Sequence, residues 1–466
     1  MRSILTKALL SASMLPFLLQ SGAIQETLAA EETAVLRGSA SMDDLGMQIV
    51  KKEIELLSLN SDFRNHYMQG NKWKKRRLKL YEMAAGGVAN AGDITLISQF
   101  WHYYRNPGAG LKHKGSLESG AITVMVAYLS LGGLYAAEGL NDLFQDFRSA
   151  RKGWSSKSVL QKAETLKNEI DAAISARKIA LQNDNSSPDE KRMLEQENKV
   201  LQDCRDLSLL EFSKLYIDAR KKRIARDVTT VGTIAVCATG AFPGALAVTR
   251  GIQEVNLKMI GGGGIGFLIS GATLAGAPLL IHGGAAAGGA WTKHNLSKTL
   301  GEIQCKVASN LESDTASLLA MKTDTASSSQ LSSRMNAYKS MPSLFAERQD
   351  FLEAEHRKNK RDTIEDFITY AIEGGPQIAW GTLVARAGYR YNRNASKAFK
   401  LIAEGATVNE VAWGSWLLNK TQGSIRDELY NLKHRFDSTS GAFGKDNKSL
   451  VQLKLLGASA NLGNAQ

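Results

Sequence analysis

Few residue patterns in this chain could do chemistry, and each has a packing alternative. Gly261, Gly263 and Gly266 reproduce the glycine spacing of a dinucleotide-binding turn. Such a turn follows a strand, opens a helix and is joined about 20 residues on by an acid that holds the ribose. Here a charged loop precedes the glycines, an apolar run follows, and the next acid is Glu302. Close helix packing is the better reading, and no cofactor is expected. His282 is the one ionisable residue between Met259 and Thr292. In a membrane segment that is a functional hypothesis by default, although a place near a span end would let it reach water. The chain has no HExxH, GxSxG, Walker loop or CxxC, and no two histidines stand at ligand spacing along one helix. Three cysteines in 466 residues exclude a disulfide scaffold. The expectation is a protein without enzymatic activity, cofactor or metal.

The elements that must position these residues are helical. The chain holds 42 glycines, eleven of them between Met259 and Thr292, against 7 prolines. Val228–Thr249 and 259–292 are uncharged runs of 22 and 34 residues, and Ser119–Ala137 is a third of 19. About 20 apolar residues cross a hydrocarbon core of about 30 Å. Spans are therefore expected at 119–139, 228–249 and 259–292. Gly262 with Gly266, and Gly284 with Gly288, are the expected close-packing positions, because small residues four apart let helix backbones approach.

Residues 1–30 read as a signal peptide. Arg2 and Lys7 precede an uncharged run to Ile24, and Ala29-Ala30 offers a cleavage site. Residues 31–118 then form a small helical extracytoplasmic region, with separate helices expected near 43–57, 73–83 and 94–104. Between spans, 140–227 reads as a cytoplasmic antiparallel hairpin. Val159, Ala163, Leu166, Ile170 and Ala173 step by four and three, and Val200, Cys204, Leu207, Leu210 and Ile217 make a looser seam. Ser187, Pro188 and Glu190 mark its tip, where serine can cap, proline suits the first helical position and glutamate can return a bond. An amphipathic helix at 293–322, a Ser/Thr-rich linker at 323–344, a helical region at 345–437 broken at Gly374-Gly375-Pro376, and a flexible tail at 438–466 complete the chain.

The net charge is +12, from 58 Lys and Arg against 46 Asp and Glu. Arg148, Arg151 and Lys152 follow the first span, and Arg220, Lys221, Lys222, Arg223 and Arg226 precede the second. At span ends such clusters meet anionic lipid headgroups. None lies in a nucleic-acid-binding module, and nucleic acid is not an expected partner. The positive-inside rule puts them and the C-terminus in the cytoplasm. One feature resists: Lys72 to Lys79 holds six basic residues in eight, on the side expected to be outside.

The fold class expected is therefore all-α: a multi-span helical membrane protein with a long coiled-coil-like hairpin and a helical C-terminal region. Its expected place is the bacterial inner membrane. Its expected role is a scaffold presenting the hairpin to a protein partner or a second copy. The alternative is a membrane-inserting or pore-forming protein using the apolar hairpin 228–292.

Overall fold

The computed structural model describes residues 42–106, 114–183, 187–301, 307–321 and 329–436. The expected signal peptide, 1–30, and tail, 438–466, lie outside the described residues. All described elements are helical: α1 (Met42–Arg105), α2 (Lys114–Arg151), α3 (Ser156–Asn183) and α4 (Pro188–Val236). α4 runs through a π-helical turn (Cys237–Ala241) into α5 (Phe242–Gln253). Then follow α6 (Leu257–Leu300), α7 (Val307–Ala320), α8 (Ser329–Arg390) and α9 (Ala395–Phe436). Three stretches are long and apolar enough to cross a membrane, within Lys114–Asn183, Pro188–Gln253 and Leu257–Leu300.

Six helical segments lie side by side in an apolar layer: the second half of α1, α2, the α4–α5 run, α6, the second half of α8, and α9. Their buried faces share one core, which includes Leu96, Phe100, Val124, Ala245, Phe267, Trp380 and Ile402. Three connections meet at one end of it. Lys114 donates to the Gln253 carbonyl, Gln253 donates to Glu118, and Tyr103 packs on Phe399 with ring centroids 5.7 Å apart. The turn before α6 is capped by Asn256, whose side chain accepts from Lys258 N at 3.1 Å and Met259 N at 3.3 Å.

The helix expected to stop at Gly374-Gly375-Pro376 does not stop: α8 passes straight through. Gly374, with Gly381 and Gly388 further along, is there for contact, whereas Gly375 faces open space. α8 runs antiparallel to α6 with the two backbones touching. A Cβ on Gly374 would stand 2.6 Å from Ala275 N, one on Gly381 2.5 Å from Leu268 N, and one on Gly261 2.9 Å from Gly388 Cα. On another face of α6, a Cβ on Gly266 would stand 2.7 Å from Gly244 Cα. The cost of glycine in a helix, about 1 kcal/mol each relative to alanine, is offset by packing that no side chain would permit.

The remaining halves form a second body around a second core. Ile49, Leu56 and Phe63 of α1 pack there with Val159 and Ile170 of α3, Val200 and Phe212 of α4, Leu311 of α7 and Tyr338 and Met341 of α8. The apolar stripes of α3 and α4 are thus covered by α1, α7 and α8. α1 is one helix rather than three, and its first half shares a core with 156–216. From Ile49 to Phe63, α1 therefore shares one packed body with 159–216, where the expectation placed 31–118 and 140–227 on opposite sides of a membrane. The Lys72–Lys79 cluster lies near the middle of α1, where layer and body meet, and its Lys74 and Arg77 pair with Asp142 and Glu138 of α2.

Gly381→Leu is expected to separate α6 from α8 and destabilise the protein by at least about 1–3 kcal/mol, the usual range for overpacking. A Cβ at Gly283 meets nothing within 4 Å. Gly283→Ala is therefore expected to be neutral or to stabilise by up to about 1 kcal/mol. Thermal unfolding of the two variants in detergent checks both.

Candidate functional site

The residues singled out in the sequence fall in different places. Of the glycines, Gly266 is in backbone contact with α5, whereas Gly262 faces only the Tyr389 hydroxyl. Gly284 meets Ile224 and Val228 at ordinary contact distance, and Gly288 lies against Ile224. Arg148, Arg151 and Lys152 are exposed at the end of α2, the Arg151 guanidinium 4.6 Å from the Phe147 ring centre. Arg223 and Arg226 turn to the acidic face of α2: Arg223 to Asp146 at 2.6 Å, Arg226 to Asp142 at 3.7 Å. Lys74 also binds Asp142, and Arg77 reaches Glu138 at 2.7 Å. Arg220, Lys221 and Lys222 are half-buried, with Lys221 lying across Gly289. Ser187 caps α4, accepting from Glu190 N at 3.3 Å, with Pro188 at the first position. His282 faces Asp366 at 3.4 Å and stacks on Phe367. Cys204 and Cys237 are buried thiols.

Two constellations that the sequence did not disclose are built around buried polar groups. In the body, Glu197 is 1 % exposed and accepts from Arg334 Nε at 2.9 Å, from the Tyr338 hydroxyl at 2.8 Å and from Arg177. Arg177 also donates to Asn198 at 3.1 Å. Two heptads along, Glu211 accepts from Arg348 at 2.8 Å, and Arg348 donates to Ser61 at 3.2 Å. Fourteen residues separate both the two glutamates on α4 and the two arginines on α8. Burial would raise the Glu197 carboxyl, but the two guanidiniums and the tyrosine hydroxyl hold it below the usual carboxylate range. Glu53 is different. It is fully buried, neither oxygen has a partner among the described residues, and burial pushes it well above the usual range. Asp203 is pushed up to about 7 by burial and by its hydrogen bond to Asp314.

The second constellation crosses the apolar layer at one level. Ser270 of α6 donates to Gln377 of α8 at 3.1 Å, and Gln377 donates to the Tyr128 hydroxyl of α2 at 3.1 Å. Asp93 of α1 lies near Tyr128, and Asn409 of α9 donates to Asp93 at 3.4 Å. These residues stand 12 to 14 positions from the helix ends at the three connections. That is roughly 18–21 Å along each helix, near the middle of the layer. The π-helical turn lies at the same level, and a Cβ on its Gly240 would stand 2.9 Å from Ser270 N. Pro243, just beyond, has no N–H to bond the carbonyl four residues back, so the helix widens there, and Phe242 N bonds the Cys237 carbonyl instead. The sequence signal was one acid in an otherwise uncharged run: Asp93 alone between 83 and 104, and Glu373 alone between 367 and 385.

Among the described residues no three His, Cys, Asp or Glu stand close enough to hold a metal ion. Comparison with known proteins returns no match to a family model, a curated protein or a solved structure.

Asp203 and Glu53 bind their protons more tightly in the folded chain than in the unfolded one. Their contribution is fully present below about pH 4 and declines as pH rises, through about 7 for Asp203. Between pH 5 and 8 the melting temperature is expected to fall, and Glu53→Gln or Asp203→Asn to flatten that fall. Arg348→Met leaves Glu211 buried without its partner and is expected to cost about 3–5 kcal/mol. The double variant with Glu211→Leu is expected to recover most of it. Denaturant titration of both variants is the check.

Proposed function

We propose that this chain is an integral membrane protein of six crossings, and that it serves as a non-enzymatic scaffold displaying a packed helical body on one side of the membrane. One observation carries the reading. Large apolar side chains point outward all round the layer: Val88 and Ile94 of α1, Val126 and Leu129 of α2, Val231 of α4, Ile265 and Leu279 of α6, Phe367 and Ile368 of α8, Val408 and Val411 of α9. Only 33–39 % of each of the three most apolar stretches is covered by protein. An exposed apolar belt of this extent marks an interaction surface, and three of its segments are long and apolar enough to cross a bilayer. The other three each carry a buried or half-buried acid, which interrupts their apolar runs.

The six-crossing arrangement also removes the difficulty with Lys72–Lys79. The first half of α1 then lies on the same side as 140–227, and its cluster adds to Arg148, Arg151, Lys152 and Arg220–Arg226 rather than opposing them. By the positive-inside rule that side is the cytoplasm. The bacterial inner membrane remains the proposed location. The body closes its own seams, so what it offers a protein partner or a second copy is its polar surface, including the Ser187–Glu190 tip. The pore-forming alternative needs a water-soluble state in which 228–292 is covered, and the outward-facing Val231, Ile265 and Leu279 favour the integrated reading.

Carbonate extraction is expected to leave the protein in the membrane fraction. Single cysteines in place of Val255 and Asn392 are expected to react with an impermeant maleimide from one side, and one in place of Ser187 from the other. With only three spans, 255 and 392 would lie on opposite sides. Extraction into the wash, with leakage of dye-loaded liposomes on addition of the soluble protein, would replace the scaffold reading with the pore former.

A further inference from the structure

The polar groups at the middle of the apolar layer are not balanced. Asp93 is 2 % exposed and Asn409 is fully buried, facing it from α9. Asn409 uses its Nδ2 on one Asp93 oxygen at 3.4 Å, a long contact. The other Asp93 oxygen, the Asn409 Oδ1, the Glu410 Oε2 and the Asn90 Oδ1 have no hydrogen-bond partner among the described residues. All four are oxygens, so all four are acceptors. Asn90 lies one turn from Asp93 on α1, and Glu410 is close enough to Asp93 for the two charges to interact. Neither acid forms an ion pair among the described residues. The titratable groups facing Asp93 are Glu410 from α9 and the Tyr128 hydroxyl from α2, and neither supplies a positive charge.

A buried acceptor left unpaired costs about 1–3 kcal/mol, and more when charged. The unpaired oxygens of Asp93 and Asn409, whose side chains meet, with Glu410 beside Asp93, call for a species that contributes only positive charge. Water would bring two acceptor lone pairs with its two protons. A hard cation brings none, and such cations bind carboxylate, amide-carbonyl and hydroxyl oxygens. One carboxylate here is fully buried and the other half-buried, while the remaining donors are neutral amides. A single positive charge matches that set, whereas a divalent ion would need both carboxylates ionised in the apolar layer.

We propose that Asp93, Asn409 and Glu410, with Asn90, form an oxygen-lined site for a monovalent cation of the sodium class between α1 and α9. The site rests on these buried oxygens alone and stands whether or not the scaffold reading does. Binding there would tie α9 to α1 in the middle of the layer. Through Tyr128, Gln377 and Ser270 the same chain reaches α2, α8 and α6, so occupancy would be felt across the bundle.

The test uses the full-length protein in detergent, with NaCl replaced by choline chloride at constant ionic strength and pH. Sodium is expected to raise the melting temperature saturably, and radiolabelled sodium to bind at about one ion per chain. Asp93→Asn removes the buried charge and is expected to fold while losing both responses. Asn409→Ala, which keeps the carboxylate, is expected to weaken the apparent sodium affinity at least about tenfold, for the loss of one ligand oxygen. Equal melting temperatures in sodium and choline, together with no bound sodium on the wild-type protein, would overturn the proposal. Stabilisation by acid alone would overturn it in favour of a protonated Asp93. Stabilisation by calcium but not by sodium would overturn the monovalent assignment.

Discussion

The fold depends on a contact between two backbones. α6 and α8 run antiparallel with Gly261, Gly264 and Gly271 of one helix against Gly388, Gly381 and Gly374 of the other. Helices normally pack 8–10 Å apart because side chains stand between them. Here nothing stands between them, and backbone atoms of each helix occupy the place a Cβ would take on the other. The contact also explains why α8 continues through Gly374-Gly375-Pro376, a combination that ends most helices. The breaking tendency of glycine and proline acts on an unsupported helix. α8 is supported on one face by α6 and on another by α9, where Trp380 reaches Gly405. In lipid, where helix association rests on packing rather than on expulsion of water, a contact this close is an effective glue.

The body is held differently. Its helices meet along seams of period 3.5, the spacing that keeps one stripe facing its partner over several turns. On α8 the seam is Arg334, Tyr338, Met341, Phe345 and Arg348, all buried. On α4 it is Glu197, Val200, Cys204, Leu207 and Glu211, also buried. Two charge pairs, both two heptads apart, close on each other only when α4 and α8 are parallel and in one register. A slip by one heptad would place one of the two arginines against the buried Cys204 and leave one of the two glutamates without its partner. Taking two ions out of water is expensive, and a well-packed apolar seam of the same volume is often as stable or more so. The register is what an apolar seam could not specify, as with a single polar residue in a coiled coil.

These two devices account for what the sequence disclosed and what it hid. The runs 119–137, 228–249 and 259–292 were legible because they contain no Asp, Glu, Lys or Arg. That the segments 83–104, 367–385 and 401–419 share their core was not legible, since Asp93, Glu373, Glu404 and Glu410 interrupt their apolar runs. Seams suffered the same way. Val159 to Ala173 was readable on α3, but the next seam position is Arg177, which ends the apolar stripe while continuing the buried one. On α4 the looser stripe through Leu210 and Ile217 drew attention from the real one, because Glu197 and Glu211 lie on it. Apolar patterning finds burial only where the buried residues are apolar. The chain buries its charges where they do specific work, and those are the positions that such patterning passes over. The Ser187-Pro188 helix start, by contrast, was readable because capping is local and needs no tertiary partner.

α8 joins the two halves. At 62 residues it is roughly 93 Å of continuous helix, with Arg334 and Arg348 in the body and Gly374 to Gly388 in the layer. Neither end can slide: the charge pairs fix one register and the backbone contacts fix the other. Between them Gln377 holds the hydrogen bonds to Ser270 and Tyr128 at the middle of the layer. A rearrangement at that level therefore has two ways to be accommodated. It can be absorbed locally, where the π-helical turn already departs from regular helix beside Ser270, or it can tilt α8 as a rigid piece and move the body with it. A rod pinned by close contacts at both ends favours the second, because packed cores shift between discrete arrangements more readily than they deform. The polar chain inside the layer and the closed body outside it are in that sense one mechanical unit, joined through a helix that carries both of the contacts on which the fold depends.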